Sequence, residues 1–325
     1  TNPGRDGRPD PQNVNMVDEQ INFIRRSIGE VPECILQIGS SDGYTLSRFV
    51  ENGAREVRGV EPTIASCNLA ITRYQVECDN CTIEEYEIDR FYDLILLTHV
   101  IEHLADPLAI LQKCRAAQDA RVGYVYIEVP EMTDSDDLCP GFFTLEHRFT
   151  FTKNTLKRLV SLAGYEIISR LQHREAELYP VIGVLAKTSK VPTSKNYSSE
   201  YKSSKALIDY YFSKEKTYWV NKYNRLKKTL LSCKRVYIWG AGAHTSQLFS
   251  NTEILEDINI EGITDSSANK WGLSFKDWVC TNPDDLIFRK GDAILISSFN
   301  SEIEIAKKLI NYAKMGVSIV KFHSN

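Results

Sequence analysis

The chain has 325 residues, 42% of them hydrophobic and 25% charged, with a formal net charge of −4. These values are ordinary for a folded globular protein, and the length suits two domains, because single cores rarely grow past about 250–300 residues. They argue against a dedicated nucleic-acid binder, which is usually basic. No apolar run approaches the roughly 20 residues that span a bilayer.

Residues 1–17 are rich in Gly, Pro, Asp and Asn, lack periodicity and are expected to be flexible. Position 1 is not methionine, which is compatible with the cut end of a longer protein. No secretory signal is legible. Asp18 to Ile28 carries Ile21, Ile24 and Ile28 on one helical face. Apolar runs at 34–38, 57–60, 74–77, 93–97 and 122–127 then alternate with helical stretches, which predicts a parallel sheet covered on both faces. A helix at 153–163, closed by Gly164, leads to an antiparallel pair, Tyr165–Ser169 and Val181–Ala186, making a seven-stranded sheet. Lys187 to Ser204 is polar and turn-rich. Lys205 to Leu231 reads as a long helix whose aromatic residues serve packing. From Arg235 a second βαβ signature begins with Gly240-Ala-Gly242, a later strand ends in Asp265, and Ala293–Ser297 precedes a helix at 301–313. The expected organisation is a flexible segment 1–17, an α/β domain 18–188, a linker and long helix 189–231, and a smaller Rossmann-like α/β domain 232–325.

The eight cysteines are scattered, and several lie in apolar runs and read as small hydrophobes, which fits a reducing, cytoplasmic compartment. Cys78 and Cys81 have metal-ligand spacing, but no second pair completes a zinc set, so no metal is expected. Glu128, Glu131, Asp134 and Asp136 read as a solvated loop rather than a Mg²⁺ site. His173 reads as a strand-edge residue, and Tyr124 and Tyr126 as core.

The first glycine loop, Gly39-Ser40-Ser41-Asp42-Gly43, joins a strand to a helix, and Glu61 ends the next strand about 20 residues later. That spacing suits a ribose hydroxyl pair and hence a ligand built on adenosine. A dinucleotide would want Gly-x-Gly-x-x-Gly and a pyrophosphate on the helix N-terminus. Here the loop reads Gln37-x-Gly39-x-x-x-Gly43 with Asp42 inside it. A carboxylate repels pyrophosphate but tolerates an ammonium group, which favours S-adenosylmethionine. In these residues the stretch resembles the class I methyltransferases, with Gln37 where an acid is usual. The resemblance implies cofactor contacts from Gln37, Gly39, Ser40, Asp42, Gly43 and Tyr44 in the loop and from Glu61 and Pro62 at the ribose. It further implies Cys81 and Thr82 at the adenine, and Thr98 and His99 at the methionine portion. The plainer alternatives are a helix cap for Asp42 and a solvated strand end for Glu61.

Methyl transfer to a hydroxyl, or to carbon beside a carbonyl, needs a base, worth roughly 10²–10⁴ in rate, and histidine titrates in the right range. His103 follows the fourth strand and His147 the fifth, both at carboxyl ends where such sheets bind ligands. Glu146 beside His147 is placed to orient the ring or move a proton, whereas His103 in Ile-Glu-His-Leu also suits a helix cap. The Glu146-His147-x-Phe149-x-Phe151 segment and the second α/β domain together resemble the sugar C-methyltransferases of deoxysugar pathways. That resemblance implies acid–base roles for His103, Glu146 and His147, and sugar or nucleotide contacts from Thr144, Gly240, Gly242 and His244. This chain departs from the family in lacking its cysteine-rich zinc module and in having Thr144 for tyrosine, so O-methylation stands beside C-methylation. The expected function is methylation of a nucleotide-linked or surface-glycan sugar. The rival is a nucleotide-sugar or NAD-binding oxidoreductase or binding module, built on the second glycine loop and Asp265.

Overall fold

The computed structural model describes residues 11–119, 123–133, 138–175, 179–189, 200–298 and 301–323. The chain divides into two compact units between residues 208 and 209.

The first unit begins with helix α1 (Pro11–Ile28), followed by β1 (Cys34–Ile38), α2 (Tyr44–Glu51), β2 (Glu56–Val60), α3 (Ile64–Tyr74) and β3 (Glu77–Asp79). Then come β4 (Leu94–Thr98), α4 (Pro107–Ala116), β5 (Tyr124–Pro130), α5 (Lys153–Leu162), β6 (Tyr165–Glu175) and β7 (Tyr179–Thr188). The seven strands lie in the order β3-β2-β1-β4-β5-β7-β6. Strands β1 to β5 run parallel, and β7 is antiparallel to both β5 and β6. Both faces of the sheet are covered, and its central strands β1, β4 and β5 are apolar nearly throughout rather than alternating, whereas β2, β3 and β6 carry charged residues. Ile35, Leu94, Leu96 and Tyr126 pack with residues of α1, α2 and α3, while Leu36, Ile95, Leu97 and Ile127 pack with residues of α4 and α5. The chain steps outward from β1 to β3 and then returns to β4 on the other side of β1. The crevice at the carboxyl ends of β1 and β4 is therefore the switch point, where ligands bind in open sheets of this kind.

Several boundaries differ from the sequence reading, among them three in the first unit that bear on the site. Helix α1 starts at Pro11, a residue suited to a first helical turn, and Val17 is buried, so 11–17 is helix rather than a flexible tail. Residues 1–10 lie outside the described residues. Strand β3 starts at Glu77 rather than 74, because α3 runs through Tyr74 and Gln75 ends it in the left-handed conformation. Strand β5 continues to Pro130 and carries Glu128 into the interior.

Helix α6 (Glu200–Leu231) leads into the second unit, with β8 (Val236–Trp239), α7 (Ala243–Asn251), α8 (Ile254–Asp257), β9 (Ile260–Thr264), β10 (Ser274–Phe275) and β11 (Trp278–Thr281). Strand β12 (Ala293–Ile296), α9 (Glu302–Lys308), α10 (Ile310–Lys314) and β13 (Ser318–Lys321) complete it. The sheet order is β10-β11-β9-β8-β12-β13, parallel except for the β10–β11 pair. Trp219, Tyr223, Leu226 and Leu230 of α6 belong to its core, as the aromatic spacing suggested. The helix expected at 301–313 is two short ones that meet at Leu309. Among the described residues no helix is long and apolar enough to cross a membrane.

Candidate active site

A cavity of about 590 Å³ sits at the switch point and is lined by Gly39, Glu61, Pro62, Cys81, Thr82, His99 and His103 of the expected residues, together with Arg148. That volume is typical of a small-molecule site. Main-chain donors build its floor. Gly39 N donates to Val60 O at 2.8 Å and Ser40 N to the same oxygen at 3.2 Å. The Glu61 carboxylate accepts from Ser41 N at 3.0 Å on one oxygen and from Thr63 N at 2.9 Å on the other. Each oxygen is thereby oriented and keeps a lone pair for a ligand hydroxyl. Glu61 is buried and faces the cavity rather than being a solvated strand end.

The two loop glycines have different reasons. Gly39 has φ +67°, and a Cβ there would stand 2.6 Å from Val100 Cγ2. Gly43 has φ +80° and would put a Cβ 2.7 Å from that of Ala70, so it serves the packing of α2 on α3. Asp42 accepts from Tyr44 N, at the start of α2, at 3.2 Å, and Gly43 rather than Asp42 is the N-cap residue. Tyr44 packs on Tyr74, their ring centroids 5.7 Å apart. Ser40 is buried, 3.5 Å from Cys78 Sγ. Gln37 is buried too, and its Oε1 has no hydrogen-bond partner among the described residues. Gln37, Ser40, Asp42, Gly43, Tyr44 and Thr98 do not line the cavity. Thr82 is held by Glu85, which accepts from its N at 3.1 Å and from its Oγ1 at 3.0 Å. Burial and the nearby Asp79 and Glu85 carboxylates push the Cys81 thiol up, favouring its neutral form.

Three histidines and two buried carboxylates gather beyond β4. His99 takes a left-handed φ of +53°, unusual outside glycine. Its Nδ1 is 3.4 Å from Glu102 Oε1 and its Nε2 3.6 Å from Glu128 Oε1. Glu128 also accepts from Gln20 at 2.8 Å and from the Tyr126 hydroxyl at 2.5 Å. Burial and that carboxylate keep Tyr126 protonated, well above its ordinary range. Glu102 is 1% exposed, and neither of its oxygens has a hydrogen-bond partner among the described residues. His103 Nδ1 lies 3.0 Å from the carbonyl of Glu146; a carbonyl only accepts, so Nδ1 carries the proton. The His103 and His147 rings meet edge to face with centroids 4.9 Å apart. The segment bearing His147 is tied over this turn by Phe149 N, which donates to Glu102 O at 3.1 Å. Burial lowers the His147 pKa; Glu102 opposes that shift, and His103 and His99 add to it.

Glu146 thus meets His103 through its main chain, and its own side chain is exposed, as is Thr144. The buried carboxylate beside the histidines is Glu102, which sequence reasoning quoted but gave no role. The available signal was an acid at 102 between Ile101 and Leu104, both of which are buried. Glu128 and Glu131 are buried rather than solvated, the latter accepting from Gln172 at 2.9 Å. Asp134 and Asp136 lie outside the described residues.

In the second unit Gly240 has φ +128°, and a Cβ there would stand 2.3 Å from Ser297 O. Gly242 is extended and has room. Asp265 accepts from Ala241 N at 2.8 Å, Lys270 Nζ at 2.8 Å and Ser267 N at 2.9 Å. His244 is engaged at both ring nitrogens, by Ser297 Oγ at 2.8 Å and by His323 Nε2 at 2.7 Å. Burial, followed by the charge of His323, pushes its pKa down to about 3.

A family profile described as "Methyltransferase domain" matches residues 17–170, and another, described as "C2185-like, N-terminal", matches 232–321. No curated sequence matches the chain. Among solved structures it is similar to the 1,6-didemethyltoxoflavin-N1-methyltransferase of Burkholderia thailandensis, at 17% identity over 54% of this chain and 78% of that one, with a TM-score of 0.44. It is also similar to the magnesium protoporphyrin IX methyltransferase of Synechocystis PCC 6803, at 13% identity over 55% and 84%, with a TM-score of 0.46. A third is the N-methyltransferase NodS of Bradyrhizobium japonicum WM9, at 9% identity over 56% and 98%, with a TM-score of 0.44. Residues 17–170 are a class I methyltransferase domain, and the donor of that class is S-adenosylmethionine.

Proposed function

We propose that the chain methylates a hydroxyl group of a sugar, nucleotide-linked or within a glycan, with S-adenosylmethionine as donor. The observation that carries this reading is one cavity bearing an oriented, buried carboxylate, Glu61, and two histidines, His99 and His103. The residues present fit the donor: Glu61 keeps lone pairs for a ribose diol, and Gly39 presents no Cβ. Pro62, Cys81 and Thr82 supply the wall for the base, and His99 lies where the methionine portion is expected. When bound, the donor would supply an electrophilic methyl carbon on a sulfonium, open to in-line attack by an aligned oxygen with the neutral thioether as leaving group.

The protein's part is then to hold the acceptor and receive its proton. The depressed pKa of His147 keeps its imidazole neutral near pH 7, the form that takes a proton, and Glu102 lies close enough to favour the resulting charge. The acceptor hydroxyl's proton would pass to the cluster of Glu102, His103 and His147. Support for a sugar acceptor comes from the Glu146–Phe151 segment and from the appended second α/β unit. Thr144, in place of a tyrosine, favours a hydroxyl over an enolate carbon. Eight unbridged cysteines fit a reducing, cytoplasmic compartment.

Calorimetry should give binding of S-adenosylmethionine and not of NAD. Mass spectrometry of nucleotide sugars incubated with methyl-labelled donor should find one labelled product. Binding of NAD alone would overturn the reading in favour of a dehydrogenase or binding module.

A further inference from the structure

We propose that Glu102, His103 and His147 form a site for one divalent transition-metal ion of the zinc class, at the wall of the donor cavity. One potential ligand atom from each residue lies within 4.8 Å of the other two. Ligands of a tetrahedral ion at about 2.1 Å stand about 3.4 Å apart, so closing the set takes movements of little more than about 1 Å. The two imidazoles have that freedom, since His103 is exposed and His147 half-buried, whereas Glu102 is fixed in the interior.

The strongest argument is Glu102 itself. A carboxylate 1% exposed, with neither oxygen hydrogen-bonded among the described residues, is costly unless it is paired or coordinates a cation. Its contact with His99 Nδ1, at 3.4 Å, is longer than a good charge-assisted hydrogen bond, which runs to about 2.7–2.9 Å. A cation between Glu102 and the two rings would satisfy it. His103 is prepared for the role: donation of its Nδ1 proton to the Glu146 carbonyl fixes the tautomer and leaves the Nε2 lone pair for coordination. Metal-bound histidines ordinarily carry an outer contact of this kind.

Two imidazole nitrogens and one carboxylate oxygen select a borderline ion rather than Mg²⁺ or Ca²⁺, which prefer oxygen alone. Three protein ligands also leave a fourth position open, as catalytic zinc sites do. Because His103 lines the cavity, that position would be open to an acceptor hydroxyl, and the ion, holding the lone pairs of both rings, would then acidify that hydroxyl in place of their acting as its base. This last assignment rests on the methyl-transfer reading, whereas the metal site itself does not.

The test uses the full chain stripped with chelator and titrated with Zn²⁺ by calorimetry and with Co²⁺ by absorption. About one equivalent should bind, and Co²⁺ should give ligand-field bands without a sulfur-to-cobalt charge-transfer band, which separates this site from the cysteines. Glu102→Gln and His147→Ala should each weaken binding at least about tenfold while S-adenosylmethionine still binds, which also shows that the variants are folded. Absence of binding, binding unchanged in both variants, or a thiolate spectrum would overturn the proposal. Metal binding without S-adenosylmethionine binding would instead overturn the methyl-transfer reading and leave the metal site standing.

Discussion

The two glycine loops begin alike, each leaving a parallel strand, turning at glycine and starting a helix near the acid that ends the next strand. They finish differently. In the first unit, Glu61 is held by two main-chain N–H groups and faces a cavity. In the second, Asp265 accepts two main-chain donors and the Lys270 ammonium. Gly240 is required because β8 passes against the carbonyl of Ser297, and His244 is locked to Ser297 and His323. A βαβ turn with an acid at the next strand's tip is therefore a structural solution first. In the first unit the acid also faces open volume, with lone pairs left for a ligand.

The largest expected effect is on the first unit's chemistry. His147→Ala should cut turnover by about two to four decades with donor affinity nearly unchanged, read by steady-state kinetics alongside calorimetry. Retained turnover would return His147 to a packing role.

Acid should act on the second unit. An unfolded histidine titrates near pH 6.5, while folded His244 titrates at about 3, so between those values protons bind the unfolded chain first. Stability should be level above about pH 6.5 and fall by about 1.4 kcal/mol per pH unit below it, until about pH 3. All four tryptophans lie in the second unit, so their fluorescence during denaturant unfolding reports it selectively. His244→Gln should flatten the slope; an unchanged slope would assign it to other groups.

Gly240→Ala combines a positive φ with a contact that backbone must relieve, and should cost about 2–3 kcal/mol in the same fluorescence measurement. Glu61→Gln should weaken donor binding about 10- to 100-fold, the scale of hydrogen bonds to a charged group. Asp265→Asn should leave that affinity unchanged. The smallest effect is expected from Gly242→Ala, where φ is −157° and the nearest atom would be 3.6 Å away. A shift of more than about 0.5 kcal/mol there would mean that the second loop is tighter than its geometry shows.

Much of this could be read in advance because it depends on local pattern. Apolar runs bounded by glycine and alternating with amphipathic helices place β1, β2, β4 and β5 within a few residues of their observed bounds. The antiparallel β6–β7 ending was legible in the same way. The third strand was misplaced because Tyr74 and Val76 are apolar whether they close a helix or open a strand. The site divides along the same line. Gly39 and Glu61, placed by spacing, line the cavity, whereas Asp42 and Gly43 of the same motif do not: Asp42 accepts from Tyr44 N, and Gly43 lets α2 pack on α3. Glu102 has no spacing signal that separates it from a solvated turn acid; the segment carrying Phe149 meets it from 47 residues further along the chain, Phe149 N donating to its carbonyl.

The amino-acid sequence alone determined the α/β class and the order of the elements, since these follow from hydrophobic period and glycine position, and the likeness of its first motif to class I methyltransferases pointed to the donor. Only the tertiary structure decided which acids face a ligand. Burial and lone-pair occupancy depend on chain segments far apart in sequence, as when Phe149 is hydrogen-bonded to Glu102, and His103 to the carbonyl of Glu146.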